Sequence, residues 1–182
     1  MASILPSPTS RLLECCRMEK HKRDYTAEPR FEQGRFQLIA GFGARFTQDT
    51  AQDIPLLWEK FLPWLGKVPG EKDEVTYGVC CNPDGKGGFE YIAGVEISRL
   101  DDLPEQYRWI EIQPGYYAVF EHKGPLKQLP DTFQYIWNEW LPHSGHTAAE
   151  LPEFERYSED FNPRTGEGTL EIWIPLKSPG AV

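Results

Sequence analysis

The sequence predicts an α+β fold in which one β-α-β-β unit is used twice about a pseudo-twofold axis. Three observations carry this. Asn82-Pro83 recurs as Asn162-Pro163, and the same spacing of 80 residues pairs Tyr77 with Tyr157, Gly88 with Gly168, Ile92 with Ile172 and Phe36 with Tyr116. A helix-like segment repeats at a spacing of 79, with Trp58-Glu59-Lys60-Phe61-Leu62-Pro63 matching Trp137-Asn138-Glu139-Trp140-Leu141-Pro142. Each copy then offers one apolar stripe of helical period and a pair of short runs joined by turn formers.

Residues 1–28 read as a tail with Pro6, Pro8 and no sustained period, and Met18 offers an alternative start. Phe36 to Phe46 reads as a strand, bent or bulged at Gly41 and Gly43. Asp53 suits a helix N-cap and Pro55 the first turn. Ile54, Leu57, Trp58, Phe61, Leu62 and Leu65 follow at the spacing of one helical face, with Pro63 bending or ending it. Val75 to Cys81 and Phe89 to Ile97 form a hairpin about Asn82–Gly88, a stretch rich in Gly, Asn and Pro. The connector at 99–107 separates halves expected at about 29–98 and 108–177 of a single domain at 29–178, with 179–182 a short tail. The second half repeats the order: strands at Arg108–Ile112 and Tyr116–His122, a helical face of Phe133, Ile136, Trp137, Trp140 and Leu141, then a hairpin of Phe154–Asp160 and Thr169–Leu176.

Composition narrows the function classes. The chain of 182 residues is 40% hydrophobic and 13% aromatic, enough for one core of ordinary size. Its net charge of −9 disfavours direct nucleic-acid binding through a broad basic surface, and only Lys20-His21-Lys22-Arg23 forms a basic cluster. No apolar run approaches a membrane span and the N-terminus lacks a secretory core, so a cytoplasmic protein is expected. The cysteines fall in two adjacent pairs, Cys15-Cys16 and Cys80-Cys81, and read as free thiols. His143 and His146 share a loop after the second helix without an acidic or cysteine partner at ligand spacing, so no metal site and no cofactor are expected. Gly85-Lys86-Gly87-Gly88 lacks the phosphate-loop pattern and is a hairpin turn.

The last strand carries the candidate chemistry. Leu170, Ile172, Ile174 and Leu176 alternate with Glu171 and Trp173, so one face is aliphatic and the other has a carboxylate beside an indole. The 80-residue spacing sets Tyr91 against Glu171 as one position where the halves differ. A cleft of Glu171, Trp173 and Tyr91, bordered by Tyr77, Tyr157, Phe120 and Trp137, would suit a flat lipophilic cation. The alternative is that Glu171 lies on a solvated face and the helix tryptophans are core.

Pro29-Arg30-Phe31-Glu32, Tyr77-Gly78-Val79-Cys80-Cys81-Asn82-Pro83, Tyr117 to Gly124, Phe154-Glu155-Arg156-Tyr157 and Glu171-Ile172-Trp173-Ile174-Pro175-Leu176 together resemble the GyrI-like effector-binding domain. This domain closes many AraC-type transcription regulators and also stands alone in gyrase-inhibitory and integron-cassette proteins. The resemblance covers about residues 29 to 177. It implies a duplicated unit whose sheet curls around a central ligand cleft, a cleft glutamate at the position of Glu171, and cationic or amphipathic small molecules as ligands. The regulators' helix-turn-helix region has no counterpart here, so a regulatory role would need a protein partner. Two further readings stay open: a hydrolase of reactive small molecules with Glu171 as general base, and a protein-interaction module of the gyrase-inhibitory type.

Overall fold

The computed structural model describes residues 28–163 and 165–178. The expected N-terminal tail up to residue 27, the C-terminal tail, Cys15-Cys16 and the basic cluster at 20–23 lie outside the described residues. The first strand, β1, is Arg30–Gly34, and β2 is Gln37–Phe46; a 3₁₀ turn at Ala51–Asp53 then runs into α1, Ile54–Phe61. Next come β3 (Glu71–Cys81), β4 (Phe89–Ile97), β5 (Arg108–Ile112) and β6 (Gly115–His122). The second helix, α2 (Leu129–Tyr135), passes through a π turn at Ile136–Trp140 into the short α3 (Leu141–His143), before β7 (Glu153–Tyr157) and β8 (Leu170–Leu176). The fold is α+β.

Two local expectations change. Asp53 caps nothing: its backbone is already helical and its side chain makes no cap hydrogen bond, because the preceding 3₁₀ turn feeds straight into α1. Pro55 does occupy the first turn. The segment Arg30–Gly34, which lacks an apolar alternation of its own, becomes a strand by pairing with β6.

All eight strands form one antiparallel sheet in the order β1-β6-β8-β7-β3-β4-β2-β5. The outer strands are linked in an unexpected way. β1 pairs with β6, with Arg30 opposite Val119 and Gly34 opposite Gly115. β2 pairs with β5, with Gln37 opposite Ile112 and Gly41 opposite Arg108. These partners continue one register through the break, so β1–β2 and β5–β6 act as a single long antiparallel ribbon joining the two ends of the sheet. The sheet stays open, with β1 and β5 as edges, yet this covalent link makes it curl.

Three cores follow from the curl. On the outer face α1 covers β2 and β4 through Leu57 and Phe61, which pack with Phe89, Tyr91, Ala93 and Val95. Also outside, α2 and its π turn cover β6 and β8, setting Phe133, Ile136 and Trp137 on Ala118, Phe120, Ile172 and Ile174. The inner face gathers side chains from distant strands, including Ile39, Tyr77, Val79, Ile92, Tyr117 and Phe154, with Trp173 at its margin. The central strands β3 and β7 therefore run along the gap between the two helix-covered regions.

Candidate functional site

Strand β7 places the chemistry. Alternation along Glu153-Phe154-Glu155-Arg156-Tyr157 sends Phe154 into the inner core and leaves Glu153, Glu155 and Tyr157 on the outer face. Glu153 lies opposite Cys80, Glu155 opposite Gly78 and Tyr157 opposite Thr76 on β3. Cys80 in turn faces Tyr91 on β4, which brings that phenol to the same surface.

Glu155 is 7% exposed and accepts two phenolic hydrogen bonds on one oxygen: Tyr91 and Tyr157 each donate to Oε2 at 2.7 Å. The Tyr91 hydroxyl also accepts from Trp58 Nε1 of α1 at 3.1 Å. Trp58 meets the Tyr157 ring edge-on, with centroids 5.1 Å apart. Gly78 is what permits this geometry. A Cβ there would stand 2.0 Å from the Tyr91 hydroxyl oxygen and 2.5 Å from Glu155 Oε2, so only a glycine lets the phenol cross β3 to reach the carboxylate.

Glu153 is 6% exposed, and its Oε1 has no hydrogen-bond partner; nor has the indole N–H of Trp137, itself 9% exposed. Burial pushes the Glu153 carboxyl up to about 8, the charge of Glu155 adds to the rise, and the nearby Trp137 indole moderates it without closing a hydrogen bond. Burial also raises the Glu155 carboxyl, against the pull of the Tyr91 and Tyr157 hydroxyls. Burial, then the neighbouring carboxylates, hold the Cys80 thiol well above its usual range, so it is a neutral wall and not a ready nucleophile. Among the described residues no Lys or Arg forms an ion pair with Glu153 or Glu155. Two buried carboxylates, ringed by two phenols and two indoles and lacking a cation, can recognise a positive, flat, apolar group.

Glu171 stands elsewhere. It lies on the other face of the sheet and accepts from Arg30 Nη2 at 2.6 Å and from Trp173 Nε1 at 3.0 Å, with Arg156 Nη1 3.5 Å away. Arg30 also bonds Glu32, and its guanidinium sits 6.0 Å from the Trp173 ring centroid. Trp173 stacks on Phe154 at 5.3 Å. Tyr77 shares this inner face, accepting from Gln37 Nε2 at 3.0 Å. The seven expected site residues thus divide: Glu171, Trp173 and Tyr77 inside; Tyr91, Tyr157, Phe120 and Trp137 outside. The expectation that Tyr91 and Glu171 share one phase is corrected, because Tyr91 pairs with Cys80 on the outer face while Glu171 bonds inner-face groups. Phe120 packs edge-on against Trp140 within the α2 core.

Other buried carboxylates are matched like Glu171. Glu96, 1% exposed, is gripped by both Arg35 nitrogens at 2.6 and 2.5 Å and by Lys72 Nζ at 2.7 Å. Burial would raise its carboxyl, but those hydrogen bonds and charges outweigh it and hold it at about 2. Glu90 borders a recess of about 250 Å³ with Asn82, Tyr107, Arg108 and Trp109, and bonds Asn82 and Arg108.

Glu153 and Glu155 were missed as site residues by sequence reasoning. The signal was present in the alternation of Glu153, Glu155 and Tyr157 about Phe154. What gives it weight is the central place of β7, which only the strand order supplies.

Residues 27–177 match the family model for the GyrI-like small molecule binding domain, and the chain belongs to that family. It is 33% identical over 125 residues to the transcriptional regulator BrlR of Pseudomonas aeruginosa, a match covering 68% of this chain and 46% of BrlR. It is 30% identical over 123 residues to a DNA gyrase inhibitor of Erwinia billingiae, covering 63% of this chain and 69% of the inhibitor. Among solved structures, SAV2435 bound to tetraphenylphosphonium aligns with a TM-score of 0.70 at 19% identity, over 83% of this chain and 94% of that one. An integron cassette protein of Vibrio cholerae aligns at 0.62 and 24% identity, over 82% and 96%. No helix among the described residues is long and apolar enough to cross a membrane.

Proposed function

We propose that this chain is a receptor for lipophilic cationic or amphipathic small molecules, whose charge is met by Glu155 and Glu153 in the gap between α1 and α2. The observation that carries this reading is the pair of buried carboxylates without a cationic partner among the described residues. Burying such groups is costly, and a bound cation offsets that cost, so the site favours positive ligands. Tyr91, Tyr157, Trp58 and Trp137 add π faces that tolerate varied shapes. The tetraphenylphosphonium held by SAV2435, a protein of like fold, is a ligand of this chemistry.

Access requires movement, since the carboxylates lie beneath Trp58 and Trp137. The indole of Trp58 is tied by one hydrogen bond to Tyr91, and Trp137 sits in the π turn, where the helical ladder is already irregular. Binding that swings these indoles would shift the helices and signal occupancy to a partner protein. The strand order supports the unit used twice that the repeat suggests: outward from the centre it reads β7-β8-β6 on one side and β3-β4-β2 on the other.

A hydrolase is the second reading, favoured by one feature. The Glu153 carboxyl, pushed up to about 8 beside Glu155 and the Trp137 indole, can exchange a proton near neutral pH. Turnover of a reactive small molecule, lost in Glu153→Gln, would support it.

A thermal-shift screen of cationic and neutral amphipathic compounds against wild type and Glu155→Gln tests the receptor reading. Cations should stabilise the wild type and lose most of that effect in the variant. Equal shifts in both proteins would contradict it.

A further inference from the structure

Resting on the receptor reading, we propose that the two carboxylates of β7 form a two-charge site that prefers flat aromatic dications to monocations of the same shape. Glu153 and Glu155 are alternate residues on one strand face, so their backbone positions lie roughly 7 Å apart. Both are more than nine-tenths buried, and neither is neutralised by a Lys or Arg among the described residues. They differ in one respect. Glu155 has its two phenolic donors, whereas Glu153 Oε1 and the adjacent indole N–H of Trp137 are both buried without partners. A monocation seated on Glu155 leaves Glu153 unmatched, and two bare carboxylates this close oppose each other. Glu153 then keeps a proton. A second positive centre displaces that proton to the buffer and gives the orphaned oxygen its counter-charge.

The groups facing the pair do not supply that charge. Cys80 comes from β3, Tyr91 from β4 and Tyr157 from β7, and burial first, then the nearby carboxylates, keep all three protonated and neutral. From the helices the site receives Trp58 and Trp137, which bring rings and N–H donors but no cation. Delocalised aromatic dications suit it best, because spreading the charge over a ring lowers the cost of leaving water.

The test pairs 1,1′-dimethyl-4,4′-bipyridinium with 1-methyl-4-phenylpyridinium, two flat ions of closely similar shape that differ by one charge. Isothermal titration of the full chain in two buffers of different ionisation enthalpy reads both affinity and protons released. The dication should bind at least tenfold tighter and release about one proton more at pH 7. In Glu153→Gln the two ions should bind within twofold of each other, while Glu155→Gln should weaken both. Equal affinity for the two ions in wild type, or a preference that survives Glu153→Gln, would overturn the inference. Monocation binding that depends on Glu155 would in that case leave the receptor reading standing. Binding of neither ion would overturn both.

Discussion

The two faces of this sheet treat buried carboxylates in opposite ways. On the inner face Glu171 and Glu96 are each met by two basic side chains. On the outer face Glu153 and Glu155 are buried to a similar depth, with phenols and indoles around them and no cation among the described residues. A carboxylate whose charge is already matched helps hold strands together. One left unmatched stores a preference for something not yet bound, and is the better candidate for a ligand site.

The sharpest way to break this contrast is to fill the space under Tyr91. Gly78→Val would put side-chain atoms where the Tyr91 hydroxyl and Glu155 now meet. Overpacking together with the lost hydrogen bond should cost about 3 kcal/mol in chemical denaturation. Binding of cations such as tetraphenylphosphonium should disappear. A variant of wild-type stability and affinity would show that the phenol–carboxylate contact is dispensable.

Next in size is the loss of a matched carboxylate. Glu96→Gln removes the partner of Arg35 and Lys72, and because those two side chains are 62% and 43% exposed the cost is screened to about 1–2 kcal/mol. Its pH signature is equally specific. The folded carboxyl, at about 2, lies below its ordinary 4.5, so this stabilisation is full above 4.5 and is lost as pH falls toward 2. Glu96→Gln should flatten that acid-side loss in a pH series of denaturation curves.

Glu153 should show the reverse. Its folded carboxyl, at about 8, lies above the ordinary 4.5, so its contribution is full below 4.5 and is lost as pH rises through 8. Apo stability should therefore sag between these values, and Glu153→Gln should remove that part of the slope. A slope unchanged in the variant would mean that Glu153 titrates as an ordinary carboxylate. Cation affinity should rise over the same window as the carboxylate form becomes available.

The smallest effect belongs to Glu171. Its strongest partner, Arg30, is 45% exposed, so Glu171→Gln should change stability by no more than about 1 kcal/mol.

Much of the architecture could be read from the chain. The α1 face, both hairpins and the order of elements follow from apolar period and turn chemistry, and the structure places them close to the expected residues. The sheet face was not legible. An 80-residue spacing preserves alternation phase, yet Tyr77 lies on the inner face and Tyr157 on the outer. Register passes through loops, and a one-residue slip there flips every side chain of a strand. This is how Tyr91 came to be matched with Glu171. The strand at Arg30–Gly34 was hidden for a related reason, since its partner β6 is about 85 residues away in sequence. Glu153 and Glu155 were visible as alternating acids, but their isolation from cations depends on which strands surround β7.

The central claim is that the unmatched carboxylates, and not the matched ones, select the ligand. Isothermal titration of tetraphenylphosphonium into wild type, Glu155→Gln and Glu171→Gln tests it most directly. Glu155→Gln should weaken binding at least tenfold, in keeping with the roughly 2–5 kcal/mol cost of losing one partner of a desolvated charge pair, and Glu171→Gln should stay within twofold of wild type. The opposite pattern, with affinity lost in Glu171→Gln and kept in Glu155→Gln, would move the site to the inner face and contradict the account.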